Sequence, residues 1–143
     1  MRICIDTAIL LDVLKDESRA FQEIFYQAIE KGEDLVAPTV VYAELIPQFQ
    51  EDVKSLRQFL EEHKINVHPL DIESITMAAL AWLKFLKRKK RVRCTQCGYE
   101  LQGKEHLLSD FYIGGFAQAR CDAILTRDRG IYRKYFPELK GYK

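Results

Sequence analysis

The sequence predicts an α/β fold with a mostly parallel central sheet. Four short apolar runs, at residues 2–6 (RICID), 35–37, 65–68 and one ending near Leu125, are continuous rather than alternating. That is the pattern of strands buried on both faces. Segments with helical spacing separate these runs, and strands alternating with helices form crossover units. The chain has 143 residues, 48% hydrophobic and 30% charged, enough to bury the core of one ordinary domain over residues 1–143.

Taken in order, the first strand ends on Asp6, and helical spacing follows at Ile9, Leu10, Val13 and Leu14 until Lys15, Asp16 and Glu17 interrupt it. Ser18 is the expected N-cap of a helix whose apolar residues Phe21, Ile24, Phe25, Ala28 and Ile29 fall on one face, with Gly32 as its stop. The second strand closes at Pro38, and Thr39 is the expected cap of a helix VVYAELIPQF that Pro47 ends or kinks. A helix over about 51–63 points Val53, Leu56, Phe59 and Leu60 inward, and a third strand follows. Asp71 then caps a long helix with apolar Ile72, Ile75, Ala79, Trp82, Leu83 and Leu86. A helix opening at Ser109 and Asp110, a fourth strand, a short helix RGIYRKYF and an edge strand in the tail complete the chain.

Net charge is +1, so a nucleic-acid partner would have to be met by a local patch. The first residues lack the segments of a signal peptide, and no apolar run approaches the ~18 residues of a membrane span. Cys4 and Cys121 lie in apolar settings. A reduced, cytoplasmic protein with no membrane partner is the expectation.

Four acids stand out. Asp6 follows an apolar strand directly, where an unpaired charge is costly, although a helix N-cap would also explain it. Glu44 has Val40, Val41, Pro47 and Gln48 at its helical neighbours, so it is either a buried ion-pair member or a functional acid. Asp110 suits a helix N-terminus on electrostatic grounds alone. Asp128 could simply cap the last helix. Taken together, all four lie at carboxyl ends of strands or on the helices just after them. That is where open α/β sheets bind ligands. Clustered carboxylates are hard ligands that favour Mg²⁺ or Mn²⁺, and a divalent cation there would activate water and stabilise a phosphate under attack.

The segments CIDTAILLDVL, APTVVYAEL, LLSDFYIGGFAQ and AILTRDRGIYRKYFPEL, in this order and spacing, resemble PIN-domain proteins of the VapC toxin type. The resemblance covers nearly the whole chain apart from about residues 88–107. It implies a three-layer α/β/α sandwich with a short Cys-containing insertion, and metal-dependent ribonuclease activity as the toxin of a toxin–antitoxin pair. Asp6, Glu44, Asp110 and Asp128 match the family's acidic, metal-binding positions. Thr7 and Thr126 match positions where a hydroxyl supports the acids. Such toxins are usually inhibited by an antitoxin and often form homodimers. Where the family commonly has small alanines after the third acid, this chain has Gly114 and Gly115, which allow a closer approach to the sheet.

The run KFLKRKKRVR holds Lys84, Lys87, Arg88, Lys89, Lys90, Arg91 and Arg93, seven bases in ten residues with no acid. Cations suit a helix C-terminus, but this many also suit contact with RNA phosphates. Cys94 and Cys97, as CTQCG, supply half of a structural Zn²⁺ site. His106, less readily Cys121, or the same pair from a second copy could complete it, and two exposed thiols or a local disulfide are the plain alternatives. Two other functions fit parts of the sequence: a non-catalytic RNA-binding or RNA-processing module using the basic run and a zinc knuckle, and a structure-specific DNA nuclease. The latter usually needs more acids and longer insertions.

Overall fold

The computed structural model describes residues 1–88, 92–93, 96–97, 100–101 and 107–143. In chain order the elements are β1 (Arg2–Ile5), α1 (Thr7–Lys15), α2 (Arg19–Glu30), β2 (Asp34–Pro38), α3 (Thr39–Leu45) running into a 3-10 turn (Ile46–Phe49), α4 (Val53–Glu62), β3 (Ile65–His68) and α5 (Ile72–Arg88). They continue with β4 (Val92–Arg93), β5 (Glu100–Leu101), α6 (Leu107–Arg120), β6 (Ala123–Leu125), α7 (Gly130–Tyr135) and β7 (Lys140–Gly141).

Five strands form one parallel sheet in the order β3-β2-β1-β6-β7. Their continuous apolar sequences are explained by burial on both faces: Ile3, Cys4, Ile5, Val36 and Leu125 are wholly inaccessible. The tail supplies β7 as the expected edge strand. β4 and β5 pair antiparallel as a separate two-stranded ribbon within the expected insertion. Strand order reverses at β1, whose neighbours are β2 on one side and β6 on the other, so a crevice opens at their carboxyl ends. Among the described residues, no helix is long and apolar enough to cross a membrane.

Several local expectations hold with adjustments. Gly32 adopts φ +72° just past α2, a left-handed conformation that stops the helix. Pro47 converts α3 into the 3-10 turn, because its ring removes one amide from the ladder. Asp52 caps α4 by accepting from the Ser55 amide at 3.0 Å, and Asp71 caps α5 by accepting from the Ser74 amide at 2.8 Å. The cap position of α3 is Pro38, one residue before Thr39. Ser18 occupies the cap position of α2 in a left-handed conformation, without a side-chain cap bond. Val53 points out at 38% exposure, because it begins α4 instead of lying within it.

The long helix α5 departs most from its own periodicity. Ile72, Ile75, Leu83 and Leu86 are exposed, whereas Ser74, Ala78 and Ala81 are buried and Trp82 is half-buried. The reason lies in the partner helix. At Gly115 of α6 an added Cβ would overlap the Ser74 carbonyl oxygen and stand 2.7 Å from the Ala78 backbone nitrogen. Small residues on both helices permit this approach, so α5 turns its small face inward and its large apolar face outward. Gly114 likewise makes room for the Phe136 ring, which such a Cβ would overlap. The two glycines thus admit α5 and the segment after α7, and not a closer approach to the sheet.

Candidate functional site

Asp6 follows β1 at the cap position of α1, but its side chain makes no cap hydrogen bond. It is only 6% exposed, and its Oδ2 accepts from the Thr126 hydroxyl at 2.6 Å. Burial raises its pKa, with Glu44 and Asp128 adding to the rise, while the Thr126 hydrogen bond opposes it. Glu44, half-buried on α3, accepts from the Thr7 hydroxyl at 2.9 Å. The two threonines therefore each serve one acid.

Asp110 lies in the first turn of α6, which begins at Leu107 and not at the aspartate. Its carboxyl is pushed up to about 7, first by burial and then by the charges of Asp6, Glu44 and Asp128. That field places the four acids in one region. Asp128 is exposed, and its Oδ1 accepts from the Gly130 amide at 3.0 Å, so it also helps to start α7.

The side chains as they stand do not close around an ion. Among the described residues, no three Asp, Glu, His or Cys groups are placed to hold one metal. Like charges repel, and Asp6, Glu44 and Asp128 have each turned to a different hydrogen-bond donor. The donor set nevertheless suits a hard divalent cation on chemical grounds. It is all carboxylate, and the repulsion that lifts Asp110 is what such a cation would relieve.

The other expected site residues divide. Lys84, Lys87 and Arg88 are exposed on the last turns of α5. α5 runs antiparallel to α6, since Arg120 reaches Asp71 at 2.6 Å while Phe85 meets Phe111 at 5.6 Å between ring centres. The basic end of α5 therefore stands beside the acid-bearing end of α6, with Arg88 over the Tyr135 ring of α7. Lys89, Lys90, Arg91, the side chain of Arg93, Cys94 and His106 lie outside the described residues. Cys97 is a free, exposed thiol, and Cys121 is a free, half-buried one packed against the core.

Two residues escaped sequence reasoning. Asp12 of α1 is 1% exposed. Its Oδ2 lies 3.2 Å from Arg127 Nε, although neither oxygen receives a directed hydrogen bond among the described residues. Arg127 adjoins both Thr126 and Asp128, so the pair ties their loop to α1. Replacing Arg127 with Ala strips this cation from a buried carboxylate. It is expected to cost ~1–3 kcal/mol in urea unfolding, and a double variant that also carries Asp12→Leu should recover most of that loss. An unchanged midpoint in the single variant would show that the pair holds nothing.

The PIN domain family model matches residues 3–137. No curated protein matches the chain. Among solved structures, the chain is similar to VapBC2 from Rickettsia felis bound to a DNA fragment from their promoter, with TM-score 0.67 and 13% identity over 98% of this chain and 96% of that one. It is also similar to FitAcB from Neisseria gonorrhoeae, with TM-score 0.66 and 16% identity over 99% and 96%. A third is VapBC-1 from nontypeable Haemophilus influenzae, with TM-score 0.67 and 20% identity over 99% and 96%. At these identities the likeness is one of fold. The family model spans nearly the whole chain and the parallel sheet agrees with it: the protein belongs to the PIN domain family.

Proposed function

We propose that this protein is a metal-dependent endoribonuclease, the toxin of a toxin–antitoxin pair. The observation that carries the reading is the surroundings of Asp110, whose carboxyl is raised by burial and then by the charges of Asp6, Glu44 and Asp128. Carboxylates gathered in one crevice are unfavourable unless positive charge is supplied to them. These four would hold Mg²⁺ or Mn²⁺, which when bound supplies an acidified water and charge stabilisation for phosphodiester hydrolysis. The chain's own residues orient the donors. The Thr126 hydroxyl fixes one Asp6 oxygen, and the Thr7 hydroxyl fixes one Glu44 oxygen. Lys84, Lys87 and Arg88, with the other bases of that run, would attract RNA towards an otherwise repulsive acidic crevice.

Two of the similar structures are of VapBC proteins, and by that analogy an antitoxin is the proposed protein partner. The exposed apolar face of α5, with Ile72 at 80% and Leu83 at 47% exposure, supports a homodimer. A structural Zn²⁺ held by Cys94, Cys97 and His106 is a separate proposal resting on their spacing alone. The domain reading, a single unit over 1–143 with its insertion at about 88–107, is supported by a family match that spans that insertion.

The test is cleavage of single-stranded RNA with Mg²⁺ or Mn²⁺ and with chelator, for the wild type and for Asp6→Asn. Turnover is expected only with metal, and Asp6→Asn should lower it by at least ~100-fold. A variant that cleaves like the wild type would remove the four-carboxylate mechanism. Salt-dependent RNA binding without metal-stimulated turnover would favour the non-catalytic RNA module instead.

A further inference from the structure

A cavity of about 400 Å³ opens between the β6–β7 edge of the sheet and α7. Arg129, Arg133, Lys140 and Lys143 line it, together with Thr126 and Tyr132, and no acidic residue does. Four cations around one concavity repel one another, and among the described residues none of the four is in an ion pair. Tyr132, 4% exposed, forms part of the wall. The cavity adjoins the acid cluster, because Thr126 belongs to both: it lines the cavity and donates to Asp6.

We propose that this cavity is a phosphate subsite for single-stranded RNA, seating a nucleotide that flanks the bond presented to the carboxylates. The proposal rests on the nuclease reading of those carboxylates and adds to it where the substrate strand is held. The volume lies within the range of small-molecule and cofactor sites. The charge pattern is complementary along the strand: the acids repel every phosphate that is not metal-bridged, and the neighbouring cations hold the next phosphate in place. Arg129 and Arg133 offer forked donors suited to phosphate oxygens, and Lys140 and Lys143 add point charges.

The test is binding of a short fluorescent single-stranded RNA in the presence of chelator, so that no cleavage intervenes. The double variant Arg133→Gln/Lys140→Gln changes two exposed side chains and should melt like the wild type. Its affinity at low salt is expected to fall about tenfold, and the slope of log affinity against log salt should shrink by about 0.7 for each phosphate that the variant no longer holds. A control double variant, Lys31→Gln/Lys54→Gln, removes the same charge from exposed positions outside the cavity and should keep its affinity. Equal affinity and slope in the cavity variant overturn the proposal, and so does an equal loss in the control, which would make the effect one of net charge. Because binding is read without metal, this failure is distinct from that of the nuclease reading, which shows as absence of metal-dependent cleavage.

Discussion

Asp110→Asn is expected to lower turnover sharply and, in the metal-free protein, to raise stability. The carboxyl sits at about 7 in the folded chain, against 3.8 for an ordinary aspartate. Between these values the native state keeps a proton that the unfolded chain has released. Its contribution to stability is therefore complete below about pH 4 and is lost as pH rises through about 7. Asparagine resembles the protonated form at every pH. The variant should thus melt at a higher temperature than the wild type near pH 8, and the two should converge near pH 4. Divalent metal reverses the order. It competes with the proton, so the rise in melting temperature on adding Mn²⁺ should grow with pH in the wild type and be smaller in the variant. Cleavage should fall by about 10³-fold, the scale of ~4 kcal/mol of missing charge stabilisation. Melting curves with and without Mn²⁺ across this range, beside a cleavage assay, check both halves. A metal-free variant that melts below the wild type near pH 8 would mean that burial and the neighbouring charges do not disfavour the ionised Asp110 carboxyl as described.

Gly115→Ala is expected to cost at least ~2 kcal/mol, although alanine favours a helix over glycine by up to ~1 kcal/mol. The new methyl would meet the backbone of α5 at Ser74 and Ala78. Backbone atoms inside a helix cannot step aside without moving the whole helix. Gly114→Ala meets the Phe136 ring first, a side chain that can move without displacing a helix, so its cost should be smaller. Equilibrium urea denaturation of the two variants ranks them, and the reverse order would show that the α5–α6 approach is not limiting. Displacing α5 would also move Lys84, Lys87 and Arg88 relative to Asp110, so RNA affinity should fall along with stability in Gly115→Ala.

The strands and most helices were legible because their signal is local. Continuous apolar runs mark buried parallel strands, and a period of 3.6 marks helices. What was not legible depends on partners distant in sequence. Which face of α5 turns inward is decided by Gly115 on α6, and no pattern within α5 contains that information. Asp12 has a plain surface explanation in the sequence, because Lys15 lies three residues on and could pair with it. Its burial against Arg127 appears only when the loop after β6 folds back on α1. Glu44 lacked such a neighbour, which is why it stood out. The same contrast separates the two basic features. KFLKRKKRVR is a contiguous run, whereas Arg129, Arg133, Lys140 and Lys143 are spread through the last segment and meet only because β7 adds in parallel beside β6. Of the acids, order and sequence context put all four at one end of the expected sheet, and Asp110 feels the charges of the other three. The separate hydrogen-bond partners that hold the acids apart could not be read from the sequence.

The position of β1 between β2 and β6 has a consequence in time. β1 can pair with β2 early in synthesis, but β6 is made much later, and the Thr126–Asp6 hydrogen bond joins residues 120 apart. Domains emerge from the ribosome amino-terminal end first. A nascent chain therefore carries Asp6 and Glu44 long before it has Asp110 or Asp128. The proposed nuclease site can therefore assemble only after β6 and the loop that follows it have been made and have docked beside β1.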